Sequence, residues 1–231
     1  MRLAMCGRYS IAIEPRALEE RFGAVLTERA APRYNAAPSQ ALPVILGSDP
    51  RRIVLVRWGI APAWLVKAKG RQGIINVRAE TLQVKHTFDA DMRERRCLVL
   101  ADGFYEWKAA TRGSKIPYRI VMKNGSPFAF AGIWERNNVE GNPDVKTFAI
   151  ITTAPNSALA PIHNRMPAIL RPDEEPLWLS DGARVPELLK VLKPVDSRLL
   201  RVYEVSRLVN RASMDSPELV KPLREVNQAA A

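Results

Sequence analysis

The chain has 231 residues, enough for one large domain with a real core, and no Gly/Ser linker or low-complexity tract divides it. Its 35 Lys and Arg against 24 Asp and Glu give a formal net charge of +11, leaving open either a polyanionic partner (nucleic acid or an acidic membrane surface) or a merely basic soluble surface. Two cysteines and two histidines without C-x-x-C or H-x-x-x-H spacing exclude a disulfide framework and a metal centre, and no run approaches the roughly 18 apolar residues of a membrane helix.

In chain order, the first chemically distinctive stretch is Met5-Cys6-Gly7-Arg8-Tyr9. A cysteine that begins a chain carries a thiol and a free α-amine on adjacent carbons, with reference pKa values of about 8.5 and about 8, and the pair can capture an aldehyde. Behind a peptide bond, Cys6 offers only its sulfur. Glu14 to Gly23 reads as a short helix, with Pro15 in its first turn, Gly23 at its stop, and Leu18 and Phe22 toward the core. Leu42 to Leu46 and Ile53 to Trp58 read as a hairpin around Gly47-Ser48-Asp49-Pro50. Further strands are expected at 74–78, 97–101, 104–108, 118–123, 128–135 and 146–153, with turns at Asn124-Gly125 and 141–144. Residues 86–96 include a helix whose Arg93, Arg95 and Arg96 form a solvated face. Helices follow at 173–179 and 185–192, then a strand at 201–205 and a frayed tail over residues 223–231. With no β-α alternation and no repeat, the fold class is α+β: a curved, mainly antiparallel sheet or barrel-like core with peripheral helices, in a single domain spanning 1–231.

Polar residues at strand ends and in fixed loops are the candidates for chemistry. His86 lies in a charged helical region and reads as exposed. His163 sits in the proline-bracketed Pro161-Ile162-His163-Asn164-Arg165-Met166-Pro167, where it is either a loop-stabilising group or a catalytic one. Alternation places Phe104 and Glu106 on one face of their strand and Tyr105 and Trp107 on the other. A carboxylate there is either an edge-strand surface group or a partly desolvated acid/base whose pKa is raised. Asn76 and Arg78 share a face by the same period, opposite Ile75 and Val77. Cys97, in an apolar run, reads as a buried strand residue. A phosphate-cradling glycine loop and a G-x-S-x-G elbow are both absent from the sequence.

Taken together, several stretches resemble the SRAP (SOS-response-associated peptidase) family, which shields abasic sites in DNA. They are Cys6-Gly7-Arg8-Tyr9, Tyr34-Asn35-Ala36-Ala37-Pro38, Arg57 through Trp64, Asn76 through Thr81, and Arg96 through Trp107. Phe130 through Trp134, Ile151-Thr152-Thr153, His163 through Pro167, and Val205-Ser206 complete the set. The resemblance runs from Cys6 to about Pro222. It implies an SRAP-like fold and covalent capture of the aldehyde of an abasic site in single-stranded DNA. The Cys6 amine would form a Schiff base and its thiol would close a thiazolidine, without a cofactor. It also implies that Glu106 and His163 handle proton transfers and Asn76 holds the reacting group. Arg8, Arg78 and Arg165 would bind phosphates, Thr152 would add a hydrogen bond, and Trp64 would stack on a base. Thiol peptidase (hydrolase) and lyase activities go with the family. Two cysteines without a disulfide framework and the lack of an apolar signal region point to the cytoplasm, on the nucleoid when bound to DNA, and a monomer is expected.

Two departures are local: Leu65 follows Trp64 where some relatives have a second aromatic, and Asn164 stands where many have Asp. A third bears on the mechanism, because Met1 to Ala4 precede the family-like start at Met5. The expectation is that translation begins at Met5 or that residues 1–5 are removed as a leader, in one version by the protein itself. The alternatives from other classes are a non-covalent single-stranded DNA-binding module and a small-molecule thiol amidase.

Overall fold

The computed structural model describes residues 6–60, 73–84, 88–139 and 142–223. In chain order its strands and α-helices are β1 (Tyr9–Ile11), α1 (Pro15–Phe22), β2 (Val25–Leu26), β3 (Arg33–Ala36), β4 (Ala41–Leu46), β5 (Asp49–Trp58), β6 (Asn76–Arg78), α2 (Ala79–Val84), α3 (Asp89–Glu94), β7 (Arg96–Ala101), β8 (Gly103–Ala109), β9 (Lys115–Met122), β10 (Phe128–Val139), β11 (Asn142–Thr153), β12 (Met166–Pro167), β13 (Ile169–Leu170), α4 (Glu175–Leu179), α5 (Val185–Val191) and β14 (Leu200–Glu204). The expected strands of the middle of the chain all form. The helix at the start runs between Pro15 and a left-handed Gly23, with φ of 61°.

Strands β11, β10, β7, β4 and β5 pair antiparallel in that order, and β5 returns to β11 in a parallel pairing, Thr147 opposite Arg57 and Phe148 opposite Trp58. The expected α+β chain with a barrel-like core is therefore realised as a closed five-stranded barrel. At the closing seam the Trp58 and Phe148 rings stack, with centroids 6.1 Å apart. Between β10 and β7 the side chains of Cys97 and Val99 leave no room for a side chain at Gly132, where a Cβ would stand 2.9 Å from both Cys97 Sγ and Val99 Cγ2. Cys97 is a buried strand residue, as its apolar surroundings indicated, and both cysteines are free.

A second antiparallel sheet, ordered β14-β9-β8-β1-β3, lies beside the barrel. Its β8 follows the period-two expectation: Phe104 joins the main core, while Tyr105 and Trp107 pack with Val205, Val209 and Leu219 of the C-terminal segment. A buried polar network ties this sheet together, Arg119 donating to Asp102 Oδ1 (2.9 Å), Ser10 Oγ (2.9 Å) and the Tyr203 hydroxyl (2.7 Å).

One expectation is corrected here. Arg96 is not on a solvated face; it is 2% exposed, and its guanidinium donates to the carbonyls of Met92, Arg93, Trp178 and Ser180. It joins the last turns of α3 and α4, where helix carbonyls lack internal partners. Arg93 is exposed, as expected, whereas Arg95 is half-buried and pairs with the buried Asp91.

Candidate active site

Strand β1 pairs with β8 through Tyr9 and Phe104, and the Tyr105 N–H donates to the Arg8 carbonyl at 3.1 Å. This extends the pairing toward the N-terminus and brings Cys6 onto Glu106. The Cys6 backbone N–H donates to Glu106 Oε1 at 3.0 Å. Cys6 is 4% exposed and has φ of 47°, a left-handed conformation that is rare and costly for a side chain other than glycine. Asn76 heads β6, which runs parallel to β11, and its Nδ2 donates to the Cys6 carbonyl at 3.4 Å.

The third partner arrives from the loop after β11. Asn156 organises that loop: its Oδ1 accepts from Ala158 and Leu159 N–H, both at 3.1 Å, and its Nδ2 donates to the Val195 carbonyl at 2.8 Å. The loop presents His163 with Nδ1 3.9 Å from Glu106 Oε2. That same Nδ1 is 3.2 Å from both the N–H and the carbonyl of Arg165. A neutral Nδ1 accepts from the Arg165 N–H, whereas a protonated Nδ1 turns its hydrogen toward the Arg165 carbonyl or Glu106. Nδ1 thus has a local hydrogen-bond partner in either tautomer.

Electrostatics follow from burial. Glu106 is 2% exposed, on an internal strand rather than an edge, and burial raises its pKa. The charge of His163 and the hydrogen bonds from Cys6 oppose that shift. The Cys6 thiol is pushed well up, first by burial and then by the Glu106 charge and hydrogen bond, with Arg165 pulling the other way. A thiol near its reference pKa would be partly ionised; this one is held neutral. The site therefore presents a nitrogen facing a desolvated carboxyl, with an unionised sulfur in reserve.

The residues expected to hold DNA are placed less uniformly. Arg78 is exposed at the end of β6. Arg165 forms a two-pronged ion pair with Glu80, at 2.8 and 2.9 Å, and donates to the Thr152 carbonyl at 2.6 Å. Thr152 is fully buried, its hydroxyl 3.4 Å from the Val77 carbonyl. Arg8 points elsewhere: its Nη1 donates to Asn35 Oδ1 and to the Val209 carbonyl, both at 2.9 Å, fastening the 207–214 segment to β1 and β3. Trp64 and His86 lie outside the described residues, while Trp58 is core. Sequence reasoning passed over Asn35, whose Nδ2 reaches the carbonyls of Val209, Arg211 and Met214, and Glu80. The available signal for Glu80 was a carboxylate two residues beyond Arg78. Among the described residues no three His, Cys, Asp or Glu side chains are grouped to hold a metal ion.

A barrel-containing fold whose N-proximal cysteine meets a buried carboxyl through its nitrogen and sulfur and an amide through its carbonyl, with an imidazole on the far side of that carboxyl, defines a cysteine-centred candidate site. The family profile described as SOS response associated peptidase (SRAP) matches residues 5–212, and the chain belongs to that family. It is 41% identical over 223 residues to a Bacillus subtilis protein named abasic site processing protein YoqW, covering 94% of this chain and 99% of that one. A mouse protein named abasic site processing protein HMCES is 30% identical, with 83% of this chain and 65% of the mouse protein covered. The crystal structure of a Bacteroides thetaiotaomicron protein superposes with a TM-score of 0.82 at 26% identity, over 94% of this chain and 99% of that one.

Proposed function

We propose that this protein processes abasic sites in DNA by crosslinking covalently to their aldehyde through a Cys6 freed of residues 1–5. The observation that carries the reading is the 3.0 Å contact between the Cys6 nitrogen and Glu106, with His163 beside that carboxylate. In the freed chain that nitrogen is an amine. Glu106 accepts its excess proton, and the amine attacks C1′ of the ring-opened sugar. The carbinolamine hydroxyl then leaves as water, taking a proton from the Glu106–His163 pair. Sulfur adds to the resulting iminium carbon and loses its proton, closing a five-membered ring of C1′, N, Cα, Cβ and S. Because a thiol is needed only at this last step, a neutral resting sulfur is compatible with the sequence of events.

Asn76 holds the Cys6 carbonyl and so fixes the direction of both nucleophiles. Removal of residues 1–5 by the protein itself fits the same atoms: the Cys6 thiol attacks the preceding carbonyl, and water hydrolyses the resulting thioester, releasing amine and thiol. The strained φ at Cys6 favours a reaction that relieves it. The relatives' names, the family membership and the +11 charge support a DNA substrate. A single strand leaves the sugar accessible without unpairing.

The test is denaturing electrophoresis after mixing abasic single-stranded DNA with three chains: one beginning at Cys6, its Cys6→Ser variant, and the 231-residue chain. An adduct that survives denaturation is expected with the first, and with the 231-residue chain only to the extent that residues 1–5 have been removed. An equally stable adduct with serine would reject the cysteine mechanism, and one formed by a chain that mass analysis shows to retain residues 1–5 would reject the amine.

A further inference from the structure

Arg165 is the basic residue nearest the candidate chemistry in bonding terms, since its own N–H meets His163 and its charge acts on the Cys6 thiol. Its guanidinium is already occupied. Nη1 and Nη2 meet the two Glu80 oxygens at 2.8 and 2.9 Å, the parallel two-bond geometry with which arginine also grips a phosphate. The inner edge is anchored, because Nη2 also donates to the Thr152 carbonyl at 2.6 Å. The pair is lopsided in exposure: the Arg165 side chain is 12% accessible and that of Glu80 57%. The arginine is thus a fixed receptor and the carboxylate a solvent-facing occupant. In this pose the buried Nε–H of Arg165 finds no acceptor among the described residues, so Glu80 does not complete the guanidinium's hydrogen bonding. Arg165 holds Glu80 as the anion, lowering its pKa, and Arg78 acts on it in the same direction. A carboxylate displaced from Arg165 keeps that second cation within electrostatic range.

We infer that Glu80 is a placeholder for a DNA phosphate: it fills the two-pronged face of Arg165 until a backbone phosphate of the lesion strand displaces it. This rests on the reading of DNA as the substrate. Glu80 then sets the strength of non-covalent capture without touching the reacting atoms. A phosphate entering the wild-type protein exchanges one anion for another, and the freed carboxylate takes back part of the cation atmosphere that the DNA gives up. In Glu80→Gln the phosphate meets an unneutralised arginine. Affinity should rise by roughly two- to fivefold, the equivalent of one partly exposed ion pair. The slope of log affinity against log salt should steepen by up to about 0.7, the share of one phosphate on a single strand.

The experiment uses a fluorescent single-stranded oligonucleotide carrying one tetrahydrofuran lesion, which has no aldehyde, and measures binding between low and physiological salt. Wild type, Glu80→Gln, Arg165→Gln and the double variant are compared. Tighter binding and a steeper slope for Glu80→Gln, both disappearing when Arg165 is also replaced, are expected. A purely structural latch would instead give weaker or unchanged binding with an unchanged slope, and that result overturns the placeholder while leaving DNA as the substrate. A gain that persists without Arg165 overturns it too. A wild-type protein with no affinity for the oligonucleotide overturns the DNA reading itself, and the placeholder with it.

Discussion

Replacing Glu106 by Gln should move activity and stability in opposite directions. Gln keeps an oxygen where Glu106 Oε1 accepts from the Cys6 nitrogen at 3.0 Å, so the geometry survives and only proton transfer is lost. General acid–base catalysis contributes about 10²- to 10⁴-fold. Crosslinking by a chain released from a fusion so that it begins at Cys6 should slow by that factor, about 3 to 5 kcal/mol of barrier. Stability is read on the 231-residue chain, in which the Cys6 nitrogen is an uncharged amide. Burial raises the folded-state pKa of Glu106 above its ordinary value. A group shifted upward contributes stability that is fully present below the unfolded-state pKa and lost as pH rises through the folded-state value. Wherever the pH exceeds that folded-state value the wild type bears a buried carboxylate and the variant does not. The melting temperature of Glu106→Gln should therefore rise relative to wild type between about pH 4 and pH 8, with the difference smallest below about pH 4, where both side chains are neutral. Thermal melts across pH and quenched-flow crosslinking provide the two readouts. A variant that crosslinks within a few-fold of wild type, or whose melting temperature does not rise relative to wild type over that pH range, would refute the assignment of Glu106 as a desolvated proton-transfer group.

Two further substitutions test the scaffold that holds the site. Arg96→Met removes a buried guanidinium that serves four carbonyls and should cost about 3 to 5 kcal/mol in urea unfolding; a loss below about 1 kcal/mol would show that water can replace it. Asn35→Ala removes the amide that ties the Val209, Arg211 and Met214 carbonyls to β3, leaving Arg8 on Val209 as the remaining link; the loss should be about 1 to 3 kcal/mol, and amide hydrogen exchange should accelerate there first. Unchanged exchange in 207–214 would count against that tie.

What the sequence disclosed was whatever has a local signature. Pro15 and Gly23 bracket α1, and the alternation Phe104-Tyr105-Glu106-Trp107 correctly divided β8 between two cores. Closure of the barrel was visible only as a class, because the pairing of Arg57 with Thr147 joins residues with no local signal linking them. Arg96 was misread for a similar reason: its neighbours Arg93 and Arg95 are exposed or paired at the surface, while two of its acceptors are at 178 and 180. Glu80 was hidden because the expected strand at 74–78 was followed by no predicted element: the chain leaves β6 at Arg78 and turns into α2 at Ala79, carrying the carboxylate over to Arg165. The converging set Cys6, Asn76, Glu106 and His163 came from family resemblance, and the structure brings all four together. Arg8, carried over in the same way, has Asn35 and Val209 as its visible partners.

The electrostatics also impose an order on the proposed chemistry. With the amide in place, burial holds both the Glu106 carboxyl and the Cys6 thiol toward their neutral forms; Glu106 raises the thiol further, whereas the hydrogen bonds from Cys6 pull Glu106 back down. The thiol therefore resists ionising beside an ionised Glu106. Freeing the Cys6 nitrogen places a titratable amine 3.0 Å from Glu106. An ammonium at that distance favours the carboxylate, opposing the burial that raises its pKa. The carboxylate then takes that same proton when the aldehyde arrives. The thiol, still facing a negative Glu106, stays protonated until iminium formation moves positive charge to the carbon it must attack. Nitrogen first and sulfur second is thus the order set by a buried carboxylate that is shared by both nucleophiles and nearer in charge to one of them at each step.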